Sequence, residues 1–86
     1  MKSNDQKILF VDDEQFVLDA LRRQLKHQYS VEIALGGEAG LEKISTSGPF
    51  AVVVADMRMP GMNGIEFLKR VQYASPRSIR LMLTGN

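Results

Sequence analysis

The sequence contains no cysteine and only one histidine, His27. The first absence excludes a disulfide framework and any thiolate-ligated metal or cluster. The second excludes a multi-histidine zinc site. No apolar run approaches the roughly 18 residues that a membrane-spanning helix needs, so no membrane partner is expected. The opening residues, Met1 to Gln6, lead into too few apolar positions for a signal peptide, and the cytoplasm is the expected compartment. An excess of one charge is lacking as well: 11 basic residues stand against 10 acidic ones, for a net charge of +1. That balance gives no electrostatic case for direct nucleic-acid binding. Internal repeats, low-complexity tracts and linker-like segments are not apparent either.

What is present fits a single small domain over residues 1–86, 44% hydrophobic and 24% charged. Four apolar runs mark it, at residues 8–11, 31–35, 50–55 and 79–83. The first and third are nearly continuous and rich in β-branched residues, as strands buried on both faces of a parallel sheet are. The second half-alternates and the fourth alternates around Arg80, so both read as edge strands. Helical patterns lie between the runs. Phe16, Val17, Ala20, Leu21 and Leu25 recur at helical spacing opposite Asp19, Arg22, Arg23 and Lys26. Asp12 and Asp13 precede that helix as candidate caps and dipole partners. A shorter helix over 37–46 turns Leu41 and Ile44 inward. Gly40 weakens it by about 1 kcal/mol relative to alanine, and Ser47-Gly48-Pro49 stops it. Asn63 and Glu66 stand at capping-box spacing and open a third helix that ends at Ser75-Pro76. The alternation of strands and helices predicts an α/β fold with a doubly wound parallel sheet.

In such a sheet, ligands bind beyond the carboxyl ends of the strands. The first strand is followed by Asp12, Asp13 and Glu14, the third by Asp56, and the fourth by Thr84 and Gly85; the second leads only into Gly36-Gly37. With the first and third strands adjacent, Asp12, Asp13 and Asp56 converge. Three carboxylates that close repel one another unless a cation joins them. An all-oxygen set without cysteine or histidine favours Mg²⁺. Taken singly, each residue has a plain reading: Asp12 and Asp13 as helix caps, Asp56 as a strand end. Their joint occurrence at several strand ends is what points to a site. Met57, Met59 and Met62 read as loop packing rather than a soft-metal site. His27 reads as a partner for a helix C-terminal dipole, and Arg22-Arg23 as a solvated face.

The stretches Ile8-Leu9-Phe10-Val11-Asp12-Asp13-Glu14, then Val52-Val53-Val54-Ala55-Asp56-Met57-Arg58-Met59-Pro60-Gly61-Met62-Asn63-Gly64, then Leu83-Thr84-Gly85 resemble the receiver domain of two-component response regulators, in their spacing as well as their residues. The resemblance runs from about Lys7 to Asn86. It implies a flavodoxin-like receiver fold with strand order 2-1-3-4 over the part present. It further implies a regulatory rather than an enzymatic domain, with Asp56 as phosphoacceptor and a sensor histidine kinase or phosphotransfer protein as donor. Mg²⁺ is then bound by Asp13, Asp56 and the backbone carbonyl of Arg58, with Asp12 acting mostly through metal-bound water. Thr84 is implied as the hydrogen-bond donor to the phosphoryl oxygen, and Gly85 as the small residue that keeps the site open. Pro60, Gly61 and Gly64 read as turn residues of the following loop.

The same family has five strands and five helices, whereas four strands and three helices are legible here. The resemblance therefore implies a truncated receiver that lacks the final helix-strand-helix. With those elements go a lysine that pairs with the phosphoryl group and an aromatic residue that moves with Thr84. No lysine of this chain substitutes by position; Arg58, close to the site, is the expected partial substitute. Apolar side chains of the third and fourth strands are expected to face water, and self-association or element exchange through the fourth strand to cover them. Two other functions compete. One is a receiver-fold interaction module without phosphotransfer, or a fragment inactive on its own. The other is a small phosphohydrolase. Enzymes of that type place an acid or base two residues after the nucleophilic aspartate, where this chain has Arg58, which cannot act as a base.

Overall fold

The β-branched run that reads as a doubly buried strand becomes the middle of a sheet. The computed structural model describes residues 7–83. Its elements are β1 (Lys7–Asp12), α1 (Gln15–Leu25), β2 (Ser30–Leu35), α2 (Gly37–Ser47), β3 (Val52–Asp56), α3 (Gly64–Ala74) and β4 (Ile79–Leu83). The four strands form one parallel sheet in the order β2-β1-β3-β4. The expected adjacency of the first and third strands therefore holds, with β2 and β4 outside them.

Side chains alternate across a strand, and each face of the sheet has its own core. On one face Leu9, Val11, Val53 and Ala55 meet Ile44 of α2 and Phe67 and Val71 of α3. On the other, Phe10 and Val54 meet Leu18 of α1, flanked by Leu21 and Leu25. Two glycines let the first of these layers close. A methyl group on Gly40 would stand 2.8 Å from the Phe67 ring and 2.9 Å from Val11, and one on Gly37 would stand 2.9 Å from the Met62 sulfur. The helix propensity that Gly40 sacrifices is thus offset by the close approach of α2 to α3 and β1.

Three sequence expectations need correction. Helical spacing puts Phe16 on the inward stripe of the first helix, but it is 70% exposed, and Leu18 is the fully buried residue. The inner stripe runs through Leu18, Leu21 and Leu25, and at about 100° per residue Phe16 lies roughly 200° from Leu18. Asp12 and Asp13 do not cap α1: its N-cap residue is Glu14, which makes no side-chain cap bond. The third strand starts at Val52 rather than Phe50. Phe50 is still buried there, with Lys7 Nζ 4.9 Å above its ring and its carbonyl accepting from the buried Ser78 hydroxyl at 2.6 Å. The capping reading of the third helix does hold: Asn63 accepts a hydrogen bond from the Glu66 N–H at 2.9 Å. The Glu66 side chain turns instead to Arg70, at 2.8 Å.

Candidate functional site

Parallel register carries β1 and β3 to the same end of the sheet, and the residues that finish them carry carboxylates. Asp12 closes β1, Asp13 follows it, and Asp56 closes β3. One carboxylate oxygen from each of the three lies within 4.8 Å of the others. The three differ in exposure: Asp12 is buried, Asp56 half-buried and Asp13 exposed. An Asp12 carboxylate oxygen accepts the Glu14 N–H at 3.0 Å, which braces the turn into α1. Burial pushes the Asp12 carboxyl above its ordinary pKa; the charge on Asp56 adds to the rise, and the hydrogen bond from Glu14 opposes it. The cluster therefore stores repulsion that a divalent cation relieves. An all-oxygen donor set of this charge fits Mg²⁺.

The loop after β3 is pinned at Met57. Its N–H donates to the Leu83 carbonyl at 3.3 Å, and its carbonyl accepts the Gly64 N–H at 3.0 Å. Gly64 reads as a turn residue from sequence, but its constraint is tighter than a turn requires. A methyl group there would stand 2.3 Å from the Asp56 carbonyl oxygen and 2.9 Å from the Met57 Cα. Only glycine lets the start of α3 lie against the end of β3. The signal was in the sequence, since a glycine at the first helical position after a good cap weakens the helix and needs a reason. Gly61 reaches φ +79°, which supports its turn reading. The methionines divide. Met59 is buried in the core and Met62 packs against it, as expected of loop packing, whereas Met57 is 39% exposed.

A cavity of about 440 Å³ opens beside the cluster, lined by Asp13, Met57, Arg58, Met59, Pro60, Asn63 and Ile65. Arg58 is exposed in this loop, on the cavity wall that it shares with Asp13. Asp12, Asp13 and Asp56 are thus brought together, with Arg58 near them. Thr84 and Gly85 lie outside the described residues.

The match to known proteins decides the family. The model of the response regulator receiver domain matches residues 8–86. The chain belongs to this receiver family. Among curated relatives, the hydrogenase transcriptional regulatory protein HoxA of Cupriavidus necator is 34% identical over 85 residues, covering 99% of this chain and 17% of its own length. The chain thus spans less than a fifth of that relative. Among solved structures, one described as adenylate cyclase from Rhodopirellula baltica is 43% identical with a TM-score of 0.91, covering 94% of this chain and 60% of its own. Another, the histidine kinase ThkA in complex with the response regulator protein TrrA, matches at 31% identity and a TM-score of 0.81, covering 93% of this chain and 69% of its own. The sheet order of this receiver domain is the one the resemblance implied. No helix among the described residues is long and apolar enough to cross a membrane.

Proposed function

We propose that this receiver domain, acting as one unit over 1–86, accepts a phosphoryl group on Asp56 and serves as a phosphorylation switch rather than a turnover enzyme. The observation that carries the reading is the convergence of Asp12, Asp13 and Asp56 at one end of the central strands. The donor is a phosphohistidine of a sensor kinase or phosphotransfer protein. A match to a receiver protein held in a kinase complex supports that class of partner. A carboxylate oxygen of Asp56 attacks the phosphorus, and the phosphorus–nitrogen bond breaks. Its electron pair leaves with the imidazole, which takes up a proton, and an aspartyl phosphate remains.

Asp13, Asp56 and the Arg58 carbonyl would hold Mg²⁺, and Asp12 would act mostly through metal-bound water. A divalent ion held there would offset the charge of the carboxylates and of the incoming phosphoryl oxygens. Asp12, buried and hydrogen-bonded to Glu14, keeps its place while Asp13 stays open to solvent. Thr84 completes the set as the hydrogen-bond donor to the phosphoryl group.

Incubation with phosphoramidate and Mg²⁺, followed by intact mass, tests this. One added phosphoryl group is expected on the native chain and none on Asp56→Asn. A mass gain that persists in Asp56→Asn overturns the assignment.

A further inference from the structure

Among the described residues β2 pairs only with β1, so it forms one edge of the sheet. The Gly36 N–H donates to the Asp12 carbonyl at 2.9 Å, which fixes the direction of the backbone groups along β2. Alternate residues of a parallel strand bond to the same neighbour. Glu32 and Ala34 therefore turn their N–H and C=O groups to β1, while Val31, Ile33 and Leu35 turn theirs outward. Proline, a bulge or a charged side chain commonly blunts such an edge. β2 has no proline, and its register with β1 runs unbroken from Ser30 to Leu35. Its one charge, Glu32, is taken up within the molecule by Lys7 at 3.6 Å and Lys43 at 3.3 Å. The outward row of donors and acceptors is thus open to another strand.

A cavity of about 350 Å³ opens beside that edge. Ile33, Ala34 and Leu35 line it from the strand, and Ala39, Glu42 and Lys43 line it from α2. Its two charges differ in availability. Lys43 is held by Glu32, whereas Glu42 is exposed and has no ion-pair partner among the described residues. The groove thus offers apolar walls, a row of backbone hydrogen-bonding groups and one negative charge. We propose that it binds an extended peptide segment of a partner protein, which adds to the sheet as a further strand beyond β2. Backbone bonds to Val31, Ile33 and Leu35 hold the segment, and alternate side chains enter the groove. Small apolar side chains lie against Ala34 and Ala39, and a lysine or arginine meets Glu42. A second copy of this chain fits less well. Two-fold pairing of β2 edges sets each groove against its own equivalent, which brings another Glu42 and a Lys43 already engaged. None of Asp12, Asp13 and Asp56 lines the groove, so the proposal stands apart from the phosphoacceptor reading.

The probe is an acetylated, amidated hexapeptide of alternating threonine and valine whose last valine is replaced by lysine, so that two valines and the lysine share one face. It is titrated into the full chain while backbone amide NMR signals and amide hydrogen exchange are followed. Saturable shifts at Val31, Ile33 and Leu35 are expected, with a dissociation constant on the order of 1 mM. Exchange of those three amides is expected to slow, while the amides of Glu32 and Ala34, already turned to β1, change less. Glu42→Gln is expected to weaken binding about two- to fivefold. A peptide ending in glutamate instead of lysine is expected to bind the native chain more weakly, and Glu42→Lys to reverse that preference. No saturable shift along β2 up to about 10 mM peptide overturns the proposal. Equal binding of the two peptides, or a preference that Glu42→Lys leaves unchanged, overturns it too. Slowing of the same amides with protein concentration alone, without competition from the peptide, assigns the edge to a second copy and overturns it as well.

Discussion

β3 and β4 are neighbours of equal length, and four of five residues are apolar in each, yet their surroundings are opposite. Val53 and Ala55 of β3 are fully buried. On β4, Ile79, Leu81 and Leu83 are 60%, 51% and 45% exposed. Paired residues of parallel strands share a face, so Ile79 and Leu81 stand beside Val52 and Val54 on the side that α1 covers. α1 packs on β1 and β2, which leaves the β4 end of that face open. On the other face α2 and α3 cover the central strands. The comparison teaches that apolar content nominates a strand for burial, while its place in the sheet decides whether burial follows. The chemistry follows the same division: the described carboxylates of the site end β1 and β3, the strands held on both sides.

The sharpest way to break this contrast is to remove the cover over the central strands. Phe67→Ala empties a fully buried position between Gly40 and the sheet. It is expected to cost about 3–5 kcal/mol in a urea melt, a large share of the stability of so small a domain. A loss below about 1 kcal/mol would mean that α3 collapses into the gap and that the close-packed layer is not what protects β3.

A smaller change of opposite sign is expected at the end of β1. The Asp12 pKa is raised in the folded chain, so its ionisation opposes folding. The associated stability is fully present below the ordinary aspartate value and is lost as pH rises through the raised one. Without divalent ions, Asp12→Asn should therefore match the native chain in strong acid and exceed it at neutral pH. Mg²⁺, by binding the folded native site, should shrink that advantage. Urea midpoints across pH, with and without Mg²⁺, check both signs. A variant less stable than the native chain at neutral pH in chelator would show that hydrogen bonding outweighs the carboxylate repulsion.

The smallest effect on folding is expected at the edge. Leu81→Ser removes an exposed apolar side chain and should leave stability within about 0.5 kcal/mol of the native value. The same substitution is expected to weaken self-association through β4, read by sedimentation across a concentration range. A native chain that stays monomeric throughout that range would remove the edge as an association surface.

Much of this was legible from residue pattern because it rests on local rules. The β-branched runs at 8–11 and 50–55 specify doubly buried strands, and the alternation around Arg80 specifies an edge. Asn63, three residues before Glu66, specifies the start of α3 by a hydrogen bond the chain makes with itself. The carboxylates after the first and third strands needed only the rule for where parallel sheets bind ligands. Phe16 faces water although its spacing is helical, because half a turn of phase along a helix is not readable from apolar spacing when residues 17 and 18 are apolar as well. Gly64 and Gly40 were undervalued because a glycine's meaning there lies in atoms distant in sequence, the Asp56 carbonyl and the Phe67 ring.

The amino-acid sequence by itself therefore determined which segments are strands and helices, and which residues carry charge at the strand ends. Only the tertiary structure decided that one oxygen from each of three carboxylates lies within 4.8 Å of the others, that Asp12 is the buried one, and that Arg58 and Asp13 share a cavity wall. The physical reason is that hydrogen-bonding periodicity and capping act over a few residues. Burial, repulsion between carboxylates and the clearance for a methyl group depend instead on which strands and helices come to lie side by side.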